Sequence, residues 1–517
     1  MMPIADVQNY QRHRAFRNPE NSSISHELLL PILLFGSMGA ITWAIRGTSG
    51  WGGVDGTVVP GLMWGLLWFY LCHRKGIEAR GLVLWLGLGL ALGGELGYGQ
   101  YTGWILGKFY AGDQILPISP WIGYLWFMIC GIGWAAPGGI MLGWALGGRR
   151  SKSVWISRTL LVLVLLVFIF GWSIVEWLGA QFVQIWPGML FPHADSGLYA
   201  GVLGNHLERT VYTNTQNFAV LIWWLASLLI AFFQRDRTTL FTGLFLGLGF
   251  GIGFMQSAIW CLGYGGNAAY IDWWKMWELN AGFNLGLLYA VAYYWAVRQV
   301  DRQHSPQGVR LETTEKQAPE SISDLRLEIF FLALSGSVLI YFMGFEYFFW
   351  AGIFLSTLYF VAMNLTVTGV AKISDLKIII ERRKNMLLTY SAFLLLFLMF
   401  HGGTSRAGIV FGLYTADAVE QYAWPAARIV MFLPVALILV ALTVVKMWRI
   451  IRWDNASPMP DRFIKYLPER MVDLMTAIGF IGALSIWPAK IGVFYALFIF
   501  LALFAFTRIN RRLNSID

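Results

Sequence analysis

Charged residues are scarce in this chain. Asp, Glu, Lys and Arg account for 13% of its 517 residues, whereas soluble domains carry about 25%. Hydrophobic residues reach 57%. Because so little charge cannot keep a chain of this size dissolved in water, the composition excludes an ordinary soluble protein and favours one whose main solvent is lipid.

Cysteines are few, and the sequence patterns that bind nucleotides are missing. The three cysteines, Cys72, Cys130 and Cys261, lie in or beside apolar runs, where they form neither a metal-ligand cluster nor a disulfide framework. The chain contains no G-x-x-x-x-G-K-[ST] sequence, and no strand precedes its glycine-rich run at 247–253. We therefore expect no metal and no cofactor.

The net charge of +9 raises the question of nucleic-acid binding. The basic residues, however, flank apolar runs and accumulate on alternate connections between them, as the positive-inside rule requires of a membrane protein. This pattern excludes nucleic acid as the expected partner and makes the lipid bilayer the partner instead. It also predicts that both chain termini lie on the cytoplasmic side and that the protein resides in a bacterial inner (plasma) membrane.

Apolar runs of about 16 to 25 residues recur along the whole chain, and a helix of that length crosses the hydrocarbon core of a bilayer. They predict an all-α polytopic membrane protein with about 14 transmembrane helices. The pattern is compatible with a count of about 12 to 14. The predicted spans are 28–45, 57–72, 81–98, 121–147, 154–178, 216–234, 239–262, 280–297, 329–344, 348–370, 386–401, 425–445, 471–487 and 491–507.

A polar stretch divides these spans into two groups. The predicted parts are a cytoplasmic tail 1–27, a bundle of about eight helices at 28–297, a cytoplasmic linker 298–328, a bundle of about six helices at 329–507 and a cytoplasmic tail 508–517. Glycines spaced four apart predict close helix packing in the first bundle, since they leave bare backbone on one helical face. The sets are Gly61/Gly65, Gly89/Gly93, Gly99/Gly103/Gly107, Gly139/Gly143/Gly147, Gly243/Gly247/Gly251 and Gly282/Gly286.

The ionisable residues near the spans are unevenly placed, with most of them at the predicted outer ends. Such residues are costly near hydrocarbon unless they are paired or hydrated, and they commonly mark functional sites. The predicted ligand-binding residues are Arg46, Asp55, Glu95, Glu176, Glu278 and Arg406. The candidates for a catalytic acid or base are Glu95, Glu176, His206 and Glu208.

Each candidate also has a structural interpretation. Arg46 is a plausible interfacial anchor, and Lys275 with Glu278 favours a surface ion pair at a helix start. His206 and Glu208 form an acid-base pair only if their backbone is extended. The aromatic group of Trp273, Trp274 and Trp277 is typical of a belt at the membrane surface, the alternative being the rim of a ligand site.

Three classes of function remain compatible with this pattern. A many-span bundle without a nucleotide motif favours a transporter of a small polar or anionic solute. The concentration of acids at the outer ends favours the alternative of an enzyme that acts at the outer face on a lipid-linked or glycan substrate. An assembly or scaffold protein is a further alternative.

Overall fold

The computed structural model describes residues 24–48, part of 60–72, 82–97, 101–111, 114–147, 152–170, 174, 177, 178, 205–265, 271, 273–303 and 492–514. These residues are mostly helical. The predicted sites Asp55, Glu176 and Arg406 lie outside them, as do most of the predicted second bundle and all of the linker beyond residue 303.

The helices are named here in chain order. After a π-helical turn Ser25–Leu29 come α1 Leu30–Thr48, α2 Leu82–Leu96, α3 Thr102–Ile105, α4 Pro120–Leu146, α5 Lys152–Phe170, α6 Asn205–Phe233, α7 Arg237–Ser257, α8 Trp273–Gln303 and α9 Gly492–Asn514. A 3-10 helix Ala258–Gly265 continues α7.

Within the described part, four helical segments are long and apolar enough to cross a membrane. They are His26–Ala44, Pro120–Leu146, Thr215–Phe233 and Arg237–Gly263, and they coincide with predicted spans at 28–45, 121–147, 216–234 and 239–262. Two shorter apolar segments, Trp85–Gly94 and Ile156–Phe168, lie within two further predicted spans. The prediction of a mainly helical chain with several apolar helices of membrane length is therefore confirmed.

One element departs from the all-α prediction. Strands β1 Lys108–Ala111 and β2 Gln114–Pro117 form an antiparallel hairpin just before α4. Phe109 and Leu116 face each other in its register and are both buried. The two residues between the strands, Gly112 and Asp113, form a dipeptide typical of hairpin turns. The strands have only four residues each, so they do not appear as apolar runs of membrane length.

Glycines set the distance between the central helices, as predicted. A Cβ added at Gly39 of α1 lies 2.3 Å from the carbonyl oxygen of Gly282 in α8. A Cβ at Gly93 of α2 lies equally close, 2.3 Å, to the carbonyl oxygen of Trp134 in α4, and one at Gly143 of α4 lies 2.4 Å from Cα of Thr239 in α7. Since real Cβ atoms do not tolerate such distances, these helices touch backbone to backbone.

The contacts also fix the relative directions of the helices. Helices α1 and α8 are antiparallel, because Lys275 near the start of α8 reaches Ala44 near the end of α1, while Arg298 pairs with Glu27 at the other end. Helices α4 and α7 are antiparallel as well, since Phe127 near the start of α4 packs against Phe254 near the end of α7, while Gly143 meets Thr239 at the other end. We call the end of the bundle where α1 ends and α8 begins the site end.

Candidate functional site

A buried ion pair lies in the first turns of α8, against the last turns of α1. Lys275 and Glu278 form a salt bridge, and their side chains are 10% and 3% exposed. The Lys275 ammonium also donates a hydrogen bond to the carbonyl oxygen of Ala44, at 3.3 Å. The two residues are three apart on one helical face, which lets their side chains meet. The sequence favoured a surface ion pair here, and the structure corrects this because α1 covers it.

Two tryptophans of the same helix surround the carboxylate of Glu278. The indole N–H of Trp274 donates to its Oε1 at 2.9 Å, and the Lys275 ammonium donates to Oε2. Trp277 stacks edge-on against Trp274 with ring centroids 4.8 Å apart. Both carboxylate oxygens therefore accept a hydrogen bond from α8 itself, which fixes the orientation of the group.

The three tryptophans occupy different depths. Trp277 is 1% exposed and packs edge-on against Phe127 of α4 and Phe254 of α7. It is part of the core beneath the ion pair, which differs from the predicted place in an aromatic rim. Trp274 and Trp273 are half-buried, and Trp273 lies beside Trp260 with ring centroids 6.1 Å apart.

The backbone positions of Arg46 and Glu95 lie at the same end of the bundle as this ion pair. Arg46 follows Ala44 by two residues in the last turn of α1, and Glu95 lies in the last turn of α2. The two helix ends meet around Trp134 of α4, whose ring centroid is 4.8 Å from that of Trp43 and whose backbone touches Gly93 and Gly97. The structure thus gathers the helix ends that carry Arg46, Glu95 and Glu278.

The predicted pair of His206 and Glu208 lies in a helix. Both residues belong to the first turns of α6. Positions two apart on a helix fall on different faces, so this backbone does not favour the acid-base pair that an extended loop would allow.

Comparison with known proteins gave no match to a family model, to a curated protein or to a solved structure. The site is therefore interpreted from its own chemistry. No group of three His, Cys, Asp or Glu side chains that could hold a metal ion occurs among the residues that the structure describes. The chemistry of the site at the start of α8 rests on an ammonium, a carboxylate and indole N–H groups.

A second buried ion pair, which the sequence analysis missed, lies at the opposite end of the bundle. Arg158 of α5 is 3.5 Å from Asp236, and both side chains are 3% exposed. Asp236 caps α7 by accepting a hydrogen bond from the Thr239 N–H. The Arg158 guanidinium stacks over Trp144, 5.5 Å from the ring centroid. A signal was present, since Arg158 falls inside the predicted span 154–178.

The two pairs differ in what they can do chemically. Asp236 is committed to the start of α7, since it accepts from both the backbone and the hydroxyl of Thr239. Glu278 caps no helix, and Lys275 sits between it and a carbonyl oxygen. A cation held in this way at a helix end, beside a second basic position at Arg46, is suited to bind an anion in competition with Glu278.

Proposed function

We propose that this chain is a multi-pass membrane transporter of a small polar or anionic solute, with its binding site at the site end of the bundle. The buried pair of Lys275 and Glu278 carries the proposal. Charged side chains inside a membrane bundle are costly, face the interior and mark the paths of ions and solutes. Lys275 links α8 to α1 through the Ala44 carbonyl oxygen, and these two helices touch backbone to backbone at Gly39 and Gly282.

The chemistry of the pair favours an anionic ligand. Lys275 is held at a fixed position by the Ala44 carbonyl oxygen, so an incoming carboxylate or phosphate competes with Glu278 for the same ammonium. Trp274 holds the Glu278 carboxylate from the other side. Arg46, two residues after Ala44, adds a second basic residue at the end of α1. We infer that the solute exchanges with Glu278 at Lys275.

We further propose the topology that the sequence predicts, with about 14 spans, both termini in the cytoplasm and residence in the plasma membrane. The relative helix directions support it. Helices α1, α2 and α7 run towards the site end, whereas α4, α6 and α8 run away from it, as the predicted alternation requires. The basic connections then place the site end outside, and the site opens to the extracytoplasmic face.

Transport is tested with the full chain in proteoliposomes, by recording charge movement on a solid-supported membrane during rapid solute addition. The solutes are phosphate, sulfate, acetate, gluconate and glutamate, with glucose as a neutral reference. The variant is Lys275→Met with Glu278→Leu, which removes both charges and leaves neither one buried alone. The matched control is Glu27→Leu with Arg298→Met. This ion pair links α8 to the π-helical turn before α1, at the opposite end of α8 from Lys275, with a separation of 3.1 Å.

We expect at least one anion to move charge with the wild type, the control to keep that current, and the apolar variant to lose it by at least about tenfold, which corresponds to one ordinary ionic contact. A wild type that is silent with every anion contradicts transport of these solutes. Full activity of the apolar variant shows that the pair only holds the helices together. Chemical conversion of a lipid-linked substrate without uptake favours the alternative of an outer-face enzyme.

A further inference from the structure

Three amide side chains form a hydrogen-bonded cluster between α7 and α8. The amide nitrogen of Gln256 donates to Oδ1 of Asn280 at 3.1 Å. The amide nitrogen of Asn284 donates to Oε1 of Gln256 and to the carbonyl oxygen of Gly253, both at 2.8 Å. The indole N–H of Trp260 also donates to Oδ1 of Asn280, at 3.0 Å. We call Gln256, Trp260, Asn280 and Asn284 the amide cluster.

Among the residues that the structure describes, the cluster does not use all of its own hydrogen-bonding groups. Asn280 accepts two hydrogen bonds through its Oδ1, and its amide NH2 donates to no described residue. Asn284 shows the reverse arrangement, because its NH2 makes both contacts while its Oδ1 accepts none from the described residues. At a surface, such groups are available to hydrogen-bond water, a ligand or a lipid headgroup.

The cluster lies at the molecular surface, among side chains suited to face lipid. Gln256 is exposed, and Asn280 and Asn284 are half-buried. Ile252 and Ile259, on either side of Gln256 along α7 and the 3-10 helix, are 56% and 54% exposed. The cluster is near the site end, where α7 finishes and α8 begins. In the proposed topology Asn280 lies at the outer start of its span, and Gln256 and Asn284 lie within about 10 Å of the outer ends of theirs, at the border between headgroups and acyl chains of the outer leaflet.

The chemistry of the cluster is neutral and rich in amides. None of its hydrogen bonds involves a charged side chain. An aromatic surface lies next to it, formed by Trp260 and Trp273 with their ring planes inclined by 33°. Gly263 allows this arrangement, since a Cβ there lies 2.1 Å from the Trp273 ring.

We propose that the amide cluster binds the sugar headgroup of a glycolipid in the outer leaflet. A sugar hydroxyl both donates and accepts, so neighbouring hydroxyls match the N–H groups of Asn280 and the oxygen of Asn284 that no described residue occupies. The apolar face of a sugar ring packs against the Trp260 and Trp273 rings. Phosphate headgroups recruit Arg or Lys, and the cluster offers neither. The exposed isoleucines beside it receive the acyl chains.

The test uses the purified full chain in nanodiscs that contain equal mole fractions of three lipids with identical acyl chains. They are monoglucosyl-diacylglycerol, phosphatidylcholine and phosphatidylglycerol. Native mass spectrometry then measures how strongly each lipid is enriched on the protein relative to the disc. The variant is Gln256→Leu with Asn280→Leu and Asn284→Leu, which should fold because it places apolar groups at a lipid-facing surface. The control is Gln234→Leu, whose amide donates to Ser157 at the opposite end.

We expect the glucolipid to be enriched by about tenfold over the two phospholipids on the wild type and on the control, since two ordinary net hydrogen bonds supply that factor. The triple variant should lose the preference and remain folded by its elution profile. Equal retention of all three lipids by the wild type overturns the proposal, as does a preference that the triple variant keeps. Displacement of the glucolipid by methyl glucoside at equal concentration overturns the assignment to a lipid.

An oligomer that dissociates in the triple variant, without any lipid preference in the wild type, assigns this face to a second copy of the chain and overturns the proposal as well. None of these outcomes depends on whether the chain transports a solute, because lipid enrichment is measured on the protein at rest.

Discussion

The two buried ion pairs follow one electrostatic rule. Each cation reaches a carbonyl oxygen near the C-terminal end of one helix, Ala44 for Lys275 and Trp144 for Arg158. Arg158 pairs with Asp236 at the start of α7, and Lys275 pairs with Glu278 near the start of α8. The positive end of the helix dipole favours an acid at both places. The charges therefore stabilise helix ends, and a functional test has to separate this role from ligand binding.

Removing one partner of the Lys275 pair should be more harmful than removing both. Glu278→Leu leaves the ammonium of Lys275 buried without its carboxylate, which we expect to lower the free energy of unfolding by about 3 to 5 kcal/mol. The double variant Lys275→Met with Glu278→Leu leaves no unpaired charge and should unfold near the wild-type temperature. Thermal unfolding in detergent, followed by fluorescence-detected size-exclusion chromatography, measures both.

Equal melting temperatures for the single and double variants would contradict this prediction. They would mean that Lys275 finds water or another acid once Glu278 is gone. The pair would then not be held in the dry interior that the burial of both side chains implies.

The sequence identified Glu278 and Lys275 as residues of interest but placed them at the surface. The reason is physical, since Lys275 and Ala44 are separated by 231 positions in the chain, and a local spacing of three says nothing about what covers it. Arg158 shows the opposite failure. Its position inside an apolar run already indicated a charge in need of a partner, but Asp236 lies 78 positions further along the chain, between two predicted spans.

At the scale of helices, bare backbone determines which elements touch. Gly139 and Gly143 of α4 meet α7 at Thr242 and Thr239, and Gly282 of α8 meets Gly39 of α1. Helices in lipid gain no hydrophobic drive from mutual contact, so close backbone approach supplies much of their attraction. This feature could be predicted from spacing alone, because glycines four apart share a helical face whatever the partner.

Two glycines at the α7 interfaces allow a matched comparison. A methyl group at Gly143 lies 2.4 Å from Cα of Thr239, a backbone atom that cannot move alone. A methyl group at Gly249 lies 2.9 Å from the end of the flexible Leu288 side chain. We expect Gly143→Ala to lower the free energy of unfolding by about 1 to 3 kcal/mol through overpacking, and Gly249→Ala to leave the melting temperature unchanged or slightly higher.

The comparison is informative because both variants add the same methyl group to a helix. A fall in melting temperature of similar size in both would show that glycine flexibility, rather than close approach at Gly143, is what these helices require.

The hairpin Lys108–Ala111 and Gln114–Pro117 could not be predicted from sequence spacing. Its strands are too short for a hydropathy pattern, and Phe109 holds them against Trp104.

At the scale of the whole chain, two independent observations agree on the arrangement of the helices. The basic residues predict which connections share a side of the membrane, and the contacts show which helices run in opposite directions. Ala44 with Lys275, Phe127 with Phe254 and Trp126 with Phe218 all lie at the site end. Among the described helices, α1, α2 and α7 end there and α4 and α8 begin there, as expected of helices whose connections the charge pattern assigns to the outside.

This agreement leads to a topological prediction for the full chain. Reporters fused after residues 75, 150, 236, 310, 383, 460 and 517 should all report the cytoplasm, with active green fluorescent protein and inactive alkaline phosphatase. The physical reason is that connections rich in Lys and Arg resist translocation across the membrane, and such connections alternate along the chain with connections that have few. The fusions after 150 and 236 test the helix directions described above, whereas those after 310 and beyond test the predicted second bundle by charge alone. Phosphatase activity at 383 or 460, with the first three fusions cytoplasmic, would show a miscounted span after the linker. It would leave the first bundle and its site unchanged.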